Sequence, residues 1–349
     1  MGNITHWNDV PIEAVTAFDD GIPAEAVTEW GEIPDPLPTG GDTAIVTMGY
    51  DGSTYKNWME SMNILEAGSN AISGYHVTAH YGCSAASNGG SGRGLFSCGV
   101  NTQGIQSDYI EYVDIPNGGD SAEFGNSSLS AHHASAAASN GENDRMVSAN
   151  GATLPTSSQF ASSEYHTIST TGNATQHSNT QQARQSMAAM SNATNEKFIV
   201  AGGYGASLMR NQVDQMTINT LSAFSDWGDL SPNKWGINGV DNGVNDRGVW
   251  LCGQTSFSSG LNDTIDYLTI STGGSCVSPG FSCTVSKRGR AVVSNKDNEA
   301  ALALGGIGTL ETSPVSTIDA FTINSLADAT LWGGLTSTSG PECEGVNDN

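Results

Sequence analysis

The chain has 349 residues, with 36 Asp and Glu against 12 Lys and Arg and a formal net charge of −24. Such a field repels phosphate backbones, which are held by clustered Lys and Arg, so nucleic acid is excluded as a partner. No run of about 18 apolar residues occurs, so no membrane insertion is expected.

The start, "MGNITHWNDV", has neither a basic nor an apolar leader region, so synthesis and folding in a cytoplasm are expected. Residues 1–33, the expected arm, carry three consecutive copies of one phrase, the third running on into the residues that follow: "THWNDVPIEAV", "TAFDDGIPAEAV" and "TEWGEIPDPLP". Each carries an aromatic (Trp7, Phe18, Trp30), then acids, then a proline (Pro11, Pro23, Pro34). A stretch this short cannot bury its own aromatics, and proline discourages sheet interiors. It is expected to be an extended arm, packed on the chain's own body or docked on another subunit. Residues 34–41, "PDPLPTGG", read as a linker, stiff and then flexible.

From residue 42 onward the sequence repeats. "DTIDYLTIST" at Asp263 has counterparts in every unit, and their acids are Glu60, Glu111, Glu164, Asp214, Asp266 and Asp319, separated by 51, 53, 50, 52 and 53 residues. An isoleucine follows four residues later, on the same strand face as the acid. Before each such strand comes a short apolar strand ending in Gly49, Gly99, Gly151, Gly203, Gly253 or Gly306. Before that comes a small-residue strand running into an Asn/Gly/Asp turn, as in "CSAASNGG" and "MAAMSNAT". With a less regular fourth strand, as in "ATLWGGL", each unit makes four antiparallel strands. Units of this length and content match propeller blades. The small first strands suit the crowded axis.

The first unit begins at its second strand, "TAIVTMG", and the chain ends on a lone first strand, "ECEGV". The expectation is an all-β, six-bladed β-propeller over residues 42–349, its ring closed by the C-terminal strand. Closure would remove an exposed sheet edge.

The repeated acids could be metal ligands or repeated structural partners; strands so far from the axis favour structure. Basic residues also repeat. Arg93, Arg145, Lys197 and Arg247 open second strands, while His80, His132, Arg184, Lys234 and Lys287 precede first strands. They are expected to pair with the repeated acids, with an anion-binding funnel as the alternative. Turns such as "VDNGVNDR" lack a calcium-loop pattern, so no metal or cofactor is expected. Cys276 and Cys283 are close enough to bridge a loop, and Cys83 and Cys98 could face each other across a hairpin; free thiols are the default. Enzymatic signals are weak. "SDWG" at Ser225 is a fragment of a sialidase box, and His76, His80, Tyr81, His132 and His133 are the only local crowd, expected as loop or strand-start residues. The chain is therefore expected not to be an enzyme.

The Gly-ended second strand followed by an acid-bearing third strand resembles the kelch-like pattern. More closely, "NDTIDYLTISTGG", "RGVWLCG" and "TTGNAT" look like the kelch-like repeats of structural proteins from marine tailed phages. The resemblance covers residues 42–349. It implies a virion surface protein, in a tail fibre or head spike, whose arm docks on another virion subunit and whose propeller adheres to a host surface glycan or protein. Phage fibres often trimerise, so a homotrimer is compatible with it. Capsid decoration and a cellular surface or filament adhesin are the alternatives. Binding loops are expected between second and third strands, where the repeat is most variable. Tyr50, Tyr55, Phe160, Tyr204, Met209 and Phe257 are the receptor-binding candidates there.

Overall fold

A computed structural model describes residues 41–349 except 52, 79, 90–91, 102, 257–259, 297–298, 309–312, 340–343 and 348–349, together with His6–Trp7 and Val10–Pro11. The chain divides into two units, Met1–Thr39 and Gly40–Asn349. In the first, His6–Trp7 pairs antiparallel with Val10–Pro11, Trp7 opposite Val10. Phe18, Pro23, Trp30 and Pro34 of the arm lie outside the described residues.

The second unit is a ring of six antiparallel blades, a β-propeller. Blade 2 sets the pattern: inner strand Ser84–Ser87, second strand Arg93–Ser97, third strand Tyr109–Asp114 and outer strand Ala122–Asn126. Blade 3 repeats it with Ala136–Ser139, Arg145–Thr153, Ser158–Thr167 and Thr175–Asn179. Blade 4 has Ala188–Ser191, Lys197–Ala201, Gln212–Thr217 and Ser225–Asp229. In blade 5, after Asn238–Asp241, Arg247–Leu251 and Ile265–Thr269, the outer edge is reduced to the bridges Tyr267↔Val277 and Thr264↔Ser282. Blade 6 has Ala291–Ser294, Ala300–Leu304, Val315–Thr322 and Thr330–Ser339.

Blade 1 is assembled from both ends of the unit. Gly345–Asn347 supplies its inner strand, paired with Thr43–Thr47, which is followed by Trp58–Asn63 and Ala71–Tyr75. The expected closure is therefore present, with Val346 opposite Ile45 and buried. The inner strands touch in a closed sequence around the axis. Their Ala, Ser, Gly and Val residues, with the ion pair of Asp241 and Lys296, line an axial cavity of only about 70 Å³, room for a few waters.

No single core fills the ring. Six apolar clusters occupy the six seams between neighbouring blades, as where Phe198 and Met216 of blade 4 meet Val147 and Ala149 of blade 3. A blade is thus buried on both faces, which explains third strands with two adjacent buried residues (Ile110 and Glu111, Val213 and Asp214) instead of clean alternation. Each buried Leu, Ile or Phe in a seam contributes about 1.5–3 kcal/mol, and only if the neighbouring blade is in place.

The glycines that end the second strands all have positive φ, from 57° at Gly49 to 128° at Gly151. A Cβ on Gly203 would lie 2.7 Å from the Gln185 carbonyl oxygen, so the crossover chain can pass only over glycine.

Stopping the chain before Glu344 removes the inner strand of blade 1. A midpoint of thermal unfolding lowered by about 10 °C or more is expected from the lost Val346 burial and strand pairing. An unchanged midpoint in differential scanning calorimetry would exclude closure by this strand.

Candidate functional site: the blade seams and the loop face

All six repeated acids are buried, Glu60, Glu111, Glu164, Asp214 and Asp319 at 0% exposure and Asp266 at 1%. Each is met by the outer strand of the preceding blade or by the crossover that leaves it. The Arg184 guanidinium donates to Asp214 at 2.7 Å. The Lys234 ammonium donates to Asp266, and Lys287 stands 3.1 Å from Asp319. Glu111 accepts from the backbone N–H of Val77 and Thr78, from the hydroxyls of Thr78 and Ser121, and faces His76 Nδ1 at 3.0 Å. Glu60 of blade 1 accepts from the Thr336 backbone and hydroxyl of blade 6 and from Asn70. Glu164 accepts from Ser127 and Ser128 of the blade 2 crossover. The acids are interblade latches.

Side-chain length follows a rule. The three glutamates reach hydroxyls and amides of the crossover backbone, whereas the three aspartates, one methylene shorter, are met by Arg or Lys. Burial drives the charged partners toward neutrality: desolvation pushes Asp214 up and Arg184 and Lys287 down, opposed by the attraction within each pair. The expected pairing with the repeated acids is thus observed for Arg184, Lys234 and Lys287; His132 makes no hydrogen bond to Glu164, and the His80 side chain lies outside the described residues.

The basic residues that open second strands behave differently. Arg93, Arg145 and Arg247 stack on Tyr112, Tyr165 and Tyr267, 4.3, 5.2 and 4.7 Å from the ring centroids. Their guanidinium groups donate to carbonyls of the next blade: Ser169, Asn219 and Asn324. Lys197 lies over Trp227 and donates to Gln215. Register explains why they miss the acids. Arg93 faces Asp114 while Glu111 faces Phe96, a separation of three residues or about 10 Å along the strand.

A further ring of ties was hidden in the turns. Asn88, Asn140, Asn192, Asn242 and Asn295 are buried after the inner strands. Each accepts the N–H five residues on and donates from Nδ2 to an acid of the next blade: Asp144, Glu196, Asp246, Glu299 and Asp42. The "SN" and "DN" turns carried this signal, because only the fixed period separates a latch from ordinary turn chemistry.

The face bearing the loops between second and third strands also receives the crossovers. Tyr50 and Tyr55 come together there, ring centroids 5.0 Å apart, and Tyr55 stacks on Tyr81 of the crossover at 4.9 Å. Tyr204 pairs with Met209 across a two-residue hairpin and lies 6.3 Å from Trp235, over which Arg288 sits at 4.6 Å. Phe160 instead turns inward, edge-on to buried His132 at 5.3 Å. Phe257 lies outside the described residues. Tyr81, Trp235 and Arg288 were missed as site residues. They occupy one repeat position, immediately after the crossover cation, with His133 and Gln185 as its other occupants.

The histidine crowd divides among structural duties. His76 serves Glu111, and His133 Nδ1 lies 2.6 Å from Gln106 Nε2. "SDWG" forms an outer strand of blade 4. Cys98, Cys252, Cys276 and Cys283 are free thiols, so the Cys83–Cys98 bridge does not form. Cys276 packs in the blade 4–5 core while Cys283 lies with Cys252 in the next, so the loop bridge does not form. The neighbouring Cys252 thiol and the Arg290 guanidinium, which donates to Cys283 Sγ at 3.4 Å, pull the Cys283 thiol below its ordinary value.

No protein-family model matches the chain, and no curated protein matches it. Among the described residues no helix is long and apolar enough to cross a membrane.

Replacing Lys234 by Met leaves Asp266 buried without its cation and is expected to cost about 3–5 kcal/mol in urea unfolding. The double variant Lys234→Met/Asp266→Leu is expected to recover most of that loss. Equal costs for single and double variants would contradict the latch.

Proposed function

We propose that the chain is a non-enzymatic surface protein of a marine tailed-phage virion. In this reading the propeller adheres to a host surface glycan or protein, and residues 1–33 dock it to another virion subunit of a tail fibre or head spike. The observation that carries the adhesion reading is the loop face. Two aromatic groups, Tyr50–Tyr55–Tyr81 and Tyr204–Trp235 with Arg288, are half-buried there. Aromatic rings held this way give a large contact area at little entropic cost and suit the apolar faces of sugars as well as protein side chains.

The disposition of the polar groups supports binding over chemistry. All six repeated acids are engaged in seams, and the axial cavity of about 70 Å³ is lined mainly by Ala, Ser, Gly and Val. Loops on a scaffold fixed by its neighbours are the usual setting for recognition. The phage assignment rests on the kelch-like phrases and the short proline-bearing repeats of the arm.

Two measurements test this. Immunogold labelling of purified particles is expected to mark tails or sparse fibres; dense label over heads would make this a decoration protein, and unlabelled particles would favour a cellular adhesin. On an array of bacterial surface glycans, Tyr55→Ala combined with Trp235→Ala is expected to weaken binding by about tenfold or more with an unchanged melting midpoint. Undiminished binding by that variant would remove the aromatic groups from the account.

A further inference from the structure

One seam departs from the rule that governs the others. In the seams of Asp214, Asp266 and Asp319 a buried Arg or Lys supplies positive charge. In those of Glu60 and Glu111 both carboxylate oxygens accept hydrogen bonds. Glu164, between blades 2 and 3, has neither arrangement. Its three donors, Ser127 Oγ, Ser128 N and Ser128 Oγ, all converge on Oε2. Oε1 has no hydrogen-bond partner although the side chain is fully buried.

What faces it is a neutral set of metal-binding atoms. His132 occupies the crossover position held elsewhere by Arg184, Lys234 and Lys287, and it too is buried at 0% exposure. Its Nδ1 lies 2.8 Å from the Ser130 carbonyl oxygen. A carbonyl can only accept, so Nδ1 carries the proton and Nε2 presents a lone pair, which finds no partner. That is the tautomer fixed by a carbonyl in metal-bound histidines. Cys98, at φ 64° where the second strand of blade 2 ends, is the third member. Its Sγ, a His132 ring nitrogen and a Glu164 oxygen lie within 4.8 Å of one another, all buried.

We propose that Cys98, His132 and Glu164 bind one divalent transition-metal ion of borderline softness, zinc being the best match, as the charge that closes the blade 2–3 seam. A thiolate, an imidazole and a carboxylate form a donor set zinc accepts, with bond lengths of about 2.0–2.3 Å. Tetrahedral geometry places such donors about 3.4–3.7 Å apart, so a contraction of at most about 1.1–1.4 Å completes the site. Binding converts the Cys98 thiol to thiolate and releases its proton to solvent. The fourth position remains for water or a further donor. His166, whose ring nitrogens have no hydrogen-bond partners and whose Nε2 is 3.7 Å from Glu164 Oε1, is such a donor. His166 also lines a cavity of about 260 Å³ beside Phe124 and Tyr165. The ion does the work of the ammonium in the Lys234–Asp266 seam, so the site is structural.

The full chain, stripped with chelator and titrated with Co²⁺, is expected to take up about one equivalent with thiolate-to-cobalt absorption in the near ultraviolet. Zn²⁺ is expected to displace the cobalt and raise the melting midpoint by several degrees. Cys98→Ser is expected to lose the ultraviolet band. His132→Lys, which recreates the Lys–acid latch, is expected to fold and melt independently of metal. Uptake far below one equivalent by the folded chain, or an unchanged band in Cys98→Ser, would overturn the site. If Cys98→Ser fails to fold, His132→Lys decides: metal binding equal to the parent chain would overturn the proposal as well.

Discussion

A carboxylate buried in every blade is the constraint around which this ring is organised. Taking an ionised carboxylate out of water costs several kcal/mol, and the cost is offset only by well-placed donors or a counter-charge. Within its own blade each acid lies on a third strand whose backbone groups are already paired in the sheet. Its own blade adds at most one donor, Asn70 for Glu60 or Ser121 for Glu111, and the other partners come from the blade before it, such as Thr78 for Glu111 or Lys234 for Asp266. A blade alone therefore cannot satisfy its own acid. The same logic, applied at the seam of blades 6 and 1, makes Glu60 depend on Thr336 and Asn295 reach Asp42, so the ring must close.

Closure concentrates stability between blades and frees the loop face from structural duty. The six apolar cores, the acid latches and the asparagine ties all lie in seams, and the stacked Arg–Tyr pairs reach across them. A scaffold held this way changes little when its loops change. That is the physical reason the segments bearing Tyr55 and Tyr204 can vary in length and content while the third strands keep their acid and isoleucine in register.

The sequence period made the architecture legible. Six acids at intervals of 50 to 53 residues, with a glycine before each and an isoleucine after each, left no other closed arrangement of four-stranded units. The phase of the repeat exposed the C-terminal closing strand, and the placement of Arg184, Lys234 and Lys287 indicated their pairing with acids. What the sequence hid was register and direction. Arg93 and its equivalents stand three residues from the acids and turn to tyrosines and carbonyls instead. Phe160 has the composition of a binding residue but packs on His132. Tyr81, Trp235 and Arg288 share one repeat position with His133 and Gln185, but because five different residue types fill it, only the spacing could have joined them. The Cys98–His132–Glu164 cluster gave no local motif, since its members come from three strands or crossovers of two blades.

The most direct test of this account is native-state hydrogen exchange across the second strands, from Ala44–Thr47 of blade 1 to Ala301–Leu304 of blade 6. Seams that stabilise one another predict that these amides exchange through one common opening, with the same free energy and the same denaturant dependence in all six blades. Blades that open separately, each with its own free energy, would contradict the dependence of every blade on the one before it.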